Sequence, residues 1–171
     1  DPYWGKVHFG EARNEELTER VKAVQEVFER CDIPYEVDKD MVWGLWFKYM
    51  CNVGENLTCA LLGIPFGAYG VSQAASSIRR AAMKEVQAVA EAKGIHISDE
   101  VMRGQDQTLL AIPYQNKPST LQDLEAGRKT EIEMFAGSMV RMGQELGVPT
   151  QVCWMFLQGI HVLEEKNEGK I

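Results

Sequence analysis

Apolar residues recur at helical spacing over most of this chain, and at strand spacing only near its start. Lys6 to Gly10 is a short extended run, and Ile33 to Val37 alternates apolar and polar residues. Between them Leu17, Val21, Val24, Phe28 and Cys31 follow the 4, 3, 4, 3 steps of an amphipathic helix. Asn14 is placed to cap it, and Glu15, Glu16 and Glu19 suit the positive end of its dipole. Two strands and one helix are too little for a stable sheet layer. Residues 1–38 therefore read as the trailing edge of a larger α/β domain, or as a small β-ribbon packed on the helices that follow.

Residues 39–171 read as helix throughout, joined mostly by short connections, which predicts a helical bundle. In the first of these helices, Lys39 to Leu62, Lys48, Asn52 and Asn56 stand out as polar positions among mostly apolar residues. Steps of four residues drift only about 40° around a helix, so the three polar side chains form one seam in a helix expected to be buried. Gly63 is placed to end it. Val71, Ala75, Ile78, Ala82, Val86 and Val89 predict the buried stripe of a second helix, with Glu85 at its edge, and Ser98 caps a shorter third. After the loop between Pro113 and Pro118 a single long helix is expected from Ser119, with Leu121, Leu124, Arg128, Ile132, Phe135, Met139, Met142 and Leu146 inward. Glu131 and Glu133 flank Ile132, and Ala136-Gly137-Ser138 leaves the backbone open to close approach. Gly147 and Pro149 stop this helix, and Thr150 is expected to cap the last one.

Composition narrows the class. With 171 residues, 45% of them hydrophobic and 25% charged, the chain can bury a true core as one domain with an appendage. Of the net charge of −7, residues 1–40 carry −5, and an acidic chain of this kind is a poor partner for nucleic acid. The four cysteines show neither CxxC nor Cys/His zinc spacing, as expected of reduced thiols in the cytoplasm. The start DPYWGK lacks the charged and apolar regions of an export signal, and no apolar run is long enough to span a bilayer. No phosphate-cradling glycine motif occurs, and His8, His96 and His161 stand alone, so no metal site is expected.

A buried ammonium must face polar groups, water or a ligand, so the Lys48 seam is either a structural network or a binding site. Lys48, Asn52, Asn56, Ser119, Glu131 and Glu85 together would suit reduction of a carbonyl beside a carboxylate. The carbonyl oxygen gains negative charge as hydride arrives, and a lysine with a pKa lowered by burial can protonate it.

LWFKYMCNVGEN, KEVQAVAEAKGI and PSTLQDLEAGRKTEIEMFAG, in this order, resemble the C-terminal domain of the 2-dehydropantoate 2-reductase (ketopantoate reductase) family. The resemblance runs from about residue 5 to 165, and the PS...QD...R.TEI pattern is its most specific part. It implies an NADPH-dependent reductase making pantoate on the route to pantothenate and coenzyme A. It also implies a mainly α domain like the C-terminal part of 6-phosphogluconate dehydrogenase, following an NADP-binding Rossmann domain. By the same resemblance Lys48 is the catalytic proton donor, and Asn52, Asn56 and Ser119 contact substrate. Glu131 lies at both the lysine and the cofactor, and Glu85 is a further acidic residue near the site. The family's glycine-rich fingerprint and an N-terminal asparagine contact do not occur here, and a later asparagine contact would fall in GIPFG. This chain alone is therefore expected to be inactive and to associate through its apolar surface, for instance as a homodimer. Two alternatives remain: another 2-oxo acid as substrate, or a non-catalytic helical dimerisation or regulatory module.

Overall fold

A computed structural model describes residues 5–171; the beginning of the DPYWGK segment lies outside the described residues. The chain divides into two compact units after Phe47, within one helix.

In the first unit, β1 (Val7–Phe9) pairs in parallel with β2 (Tyr35–Val37), with Val7 opposite Tyr35, His8 opposite Glu36 and Phe9 opposite Val37. Helix α1 (Glu19–Arg30) makes the crossover that a parallel pair requires. Phe9, Phe28 and Tyr35 cluster with ring centroids 5.2 to 5.8 Å apart. Thr18, not Asn14, caps α1, its side chain accepting from the Val21 amide. Asn14 instead braces the incoming loop: its Oδ1 accepts from the Glu11 amide and its Nδ2 donates to the Glu11 and Asp38 carbonyls. Only Val21 of α1 is buried, while Val7, Leu17, Val27 and Ile33 stay exposed, a large apolar fraction for so small a unit.

Helix α2 (Met41–Cys51) starts where the Asp40 carboxylate accepts from the Trp43 amide at 2.8 Å, and its end opens the second unit. The expected continuous helix is there but not uniform. It widens into a π-turn at Asn52–Asn56 before continuing as α3 (Leu57–Leu62), which Gly63 ends in the left-handed region. A 3-10 turn (Phe66–Gly70) leads to α4 (Gln73–Ala92), capped by Ser72, and then α5 (Asp99–Leu110), capped by Ser98 as expected.

The long helix expected from Ser119 is broken. α6 (Ser119–Glu125) stops at Gly127, whose φ of 65° suits glycine, and Arg128 turns to solvent to pair with Asp123. The chain re-enters helix at Ile132, widens into a second π-turn at Glu133–Gly137, and runs on as α7 (Ser138–Leu146). α8 (Gln151–Asn167) closes the bundle.

Met50, Val53, Leu57, Met83, Val86, Met139, Phe156 and Ile160 form its core, each at most 1% exposed. α4 packs on the first π-turn, α7 and α8, and α3 packs on α6 and α8. The α4 stripe is displaced from the expected one: Val71 is exposed, Ile78 is half-buried, and Arg79 takes the buried position between Ala75 and Ala82.

Candidate functional site

The two π-turns pack against each other, and α6 packs on the first, which gathers three of the sequence-predicted site segments in the second unit. Asn52 and Asn56 open and close the first π-turn and are half-buried, with Asn56 Nδ2 donating to Asn52 Oδ1 at 3.2 Å. That hydrogen bond holds the two carboxamides side by side. Lys48 lies one step earlier. It is exposed, so the burial expected of the seam does not hold at its ammonium. Ser119 is exposed at the first position of α6, where no side chain caps the helix. Glu131 is exposed just before the second helical run, and its carbonyl accepts from the Met134 and Phe135 amides.

The segments are tied together below the surface. Tyr49 donates its hydroxyl to the Phe135 carbonyl at 2.6 Å, linking α2 to the second π-turn, and burial pushes its phenol far above its ordinary range. Glu164, buried in the last turn of α8, accepts from the amide and hydroxyl of Thr130 at 2.7 and 2.8 Å. That fixes the residue before Glu131. His161 stands between Glu164 and Glu133, at 3.3 and 3.0 Å.

Glu85 is engaged elsewhere. Its two carboxylate oxygens accept from the Val152 and Cys153 amides at 2.7 and 2.9 Å, closing the start of α8, where the Thr150 side chain makes no cap. α4 thus supplies by tertiary contact the cap expected of Thr150.

Sequence reasoning missed Glu55, which lies inside the first π-turn and is 5% exposed. Its carboxylate accepts from Arg79 Nη1 at 3.0 Å and from Gln105 Nε2 at 3.1 Å, and its carbonyl accepts the Tyr69 hydroxyl at 2.7 Å. Burial nevertheless pushes its carboxyl above the ordinary value, against the pull of Gln105 and Arg79. Arg79 also pairs with Asp106, in a groove of about 440 Å3 lined by α4 and α5. The legible signal was the arginine itself, four residues after Ala75 and three before Ala82, on the stripe that packs inward.

Among the described residues no group of three His, Cys, Asp or Glu is set for a metal, and no helix is long and apolar enough to cross a membrane. Chemically, an exposed ammonium, two paired carboxamides and a hydroxyl are groups that donate to an oxygen-rich anion, and the Glu131 carboxylate is one that accepts.

The mainly helical fold is that of solved ketopantoate reductases. The ketopantoate reductase of Ralstonia eutropha JMP134 superposes with a TM-score of 0.82 at 25% identity, over 96% of this chain and 53% of that one. The family model "Ketopantoate reductase PanE/ApbA C terminal" matches residues 40–164, and the chain belongs to that family. The 2-dehydropantoate 2-reductase of Pyrobaculum aerophilum is 31% identical over 140 residues, 80% of this chain and 48% of the relative. That of Streptococcus pyogenes serotype M6 is 26% identical over 142 residues, 82% of this chain and 46% of the relative. The chain thus spans about half the length of these curated relatives.

Proposed function

We propose that this chain is the substrate-binding, proton-donating part of an NADPH-dependent 2-dehydropantoate 2-reductase, acting in the cytoplasm on the route to pantothenate. What supports the reading most is the alignment of Asn52 and Asn56 in a π-turn one step beyond Lys48, packed on the elements that carry Ser119 and follow Glu131. In this reading residues 1–38 are the last part of a Rossmann domain that binds most of the cofactor. The exposed apolar surface of that small unit is consistent with further strands beside it.

The carboxamides of Asn52 and Asn56 and the Ser119 hydroxyl hold the carboxylate and hydroxyl of the oxo acid, which fixes the ketone beside Lys48. The lysine ammonium then donates its proton to the ketone oxygen as negative charge develops there. NADPH, when bound, supplies the hydride. Glu131 is the group of this chain offered to both, its exposed carboxylate able to accept from the lysine or from a cofactor hydroxyl. Because Lys48 is exposed, its desolvation has to come from substrate, cofactor and the further domain closing over it. Glu85, its oxygens engaged by α8, contributes by holding that helix rather than by touching substrate.

The test is Lys48→Ala in the protein of full natural length: kcat on 2-dehydropantoate should fall by about 10² to 10⁴, with NADPH affinity little changed. A fall of less than about tenfold would remove Lys48 from the chemistry and favour a structural seam in a regulatory module. Comparing kcat/KM across a panel of 2-oxo acids decides which one the site prefers.

A further inference from the structure

We infer that Arg79 is a positioning residue, which through Glu55 holds the first π-turn in the geometry that aligns Asn52 and Asn56. What the asparagines bind rests on the reading above; how they are held does not.

A π-turn is rare and does not persist on its own backbone hydrogen bonds, so something outside it must hold it open. Here the hold converges on one residue. Glu55, between the two asparagines, is fixed by its carbonyl through Tyr69 and by its carboxylate through Arg79 and Gln105. Arg79 is in turn fixed from the other side by Asp106, and its guanidinium lies 5.5 Å from the Tyr69 ring centroid. A planar fork clamped at both ends cannot slide as an ammonium could. Immediately before Glu55, Gly54 lets the turn sit directly on α4: an added Cβ would lie 3.2 Å from the Arg79 carbonyl and would collide with Met83.

Stability alone does not account for this choice. A buried ion pair is often no better than well-packed apolar residues of the same volume, and this one leaves the Arg79 Nε buried without a partner. What an apolar pair lacks is direction, and direction is what aligned carboxamides need.

The experiment uses the full-length protein carrying Arg79→Lys or Glu55→Gln, each able to keep polar partners and the fold, with Arg79→Met as the stronger change. The side-chain amide NMR signals of Asn52 and Asn56, assigned with Asn52→Asp and Asn56→Asp, are expected to shift in Arg79→Lys. KM for the oxo acid should rise about 5- to 20-fold, while kcat stays within about threefold and KM for NADPH is unchanged. Asparagine signals that stay in place in Arg79→Lys overturn the inference, however far the melting temperature falls. If the parent protein reduces no 2-oxo acid the reductase reading fails, and the amide signals still decide the role of Arg79.

Discussion

Removing the carboxylate of Glu85 should unfasten α8 and leave the chemistry almost untouched. Its oxygens accept from Val152 N at 2.7 Å and Cys153 N at 2.9 Å, and Thr150 offers no side-chain bond to replace them. Hydrogen bonds to a charged group contribute about 1.5–3 kcal/mol each, and a carboxylate at a helix N-terminus adds about 0.3–1 kcal/mol. Water can reach the half-buried Val152 and recover part of the loss, whereas Cys153 is fully buried and its amide stays dry. Loss of a helix cap measures about 0.5–2 kcal/mol, so Glu85→Ala, which strands one dry amide as well, should cost about 2–3 kcal/mol. Glu85→Gln, with one acceptor left, should cost about 1 kcal/mol. At about 2–4 °C per kcal/mol for a domain of this size, Glu85→Ala should melt about 4–12 °C lower by calorimetry. Turnover should be followed on the same substitution in the protein of full natural length, below its melting range. A loss under about 0.5 kcal/mol would refute the capping role. A collapse of kcat at unchanged stability would restore Glu85 to the chemistry that the family resemblance implies.

Three further outcomes follow from the same geometry. Burial raises the Cys51 thiol to about 12 and the Cys59 thiol to about 11, and carries Cys153 higher still, while Cys31 is exposed; a thiol reagent at neutral pH should therefore modify Cys31 alone until the protein unfolds. Burial pushes Glu164 up, but the Thr130 amide and hydroxyl, with His161, outweigh it and hold its carboxyl below the ordinary 4.5. The unfolded chain then binds that proton more readily, so the stability Glu164 contributes is complete above pH 4.5 and lost as pH falls through its lower folded value. Glu164→Gln should accordingly cost about 1 kcal/mol at pH 7 in urea unfolding, a difference that shrinks toward pH 3; an undiminished difference there would contradict the assignment. Gly54→Ala forces a methyl against Met83 and the α4 backbone, and should destabilise the protein by about 1–3 kcal/mol where an alanine in an open helix would stabilise it.

Periodicity and glycine placement ran α6 and α7 together, but determined two short strands around an amphipathic helix, then helices stopped at Gly63 and Gly147, each with positive φ. These are local decisions, made by side-chain spacing and by backbone that only glycine adopts without strain. The four-residue spacing of Lys48, Asn52 and Asn56 was equally legible, and so was the family, because those residues and the TEI segment stand in fixed order along the chain. Spacing could not distinguish an α-turn from a π-turn, since the two differ in which carbonyl an amide finds and not in which residues they contain. Nor could it tell that Glu85 would leave the edge of α4 to cap α8, 67 positions away, that Glu164 would be drawn inward by Thr130, or that Arg79 would displace Ile78 from the core. In each case a charged side chain overrode the expectation that it points to water. Only the packed fold brings a buried partner within hydrogen-bonding distance, and without that partner the burial would cost several kcal/mol.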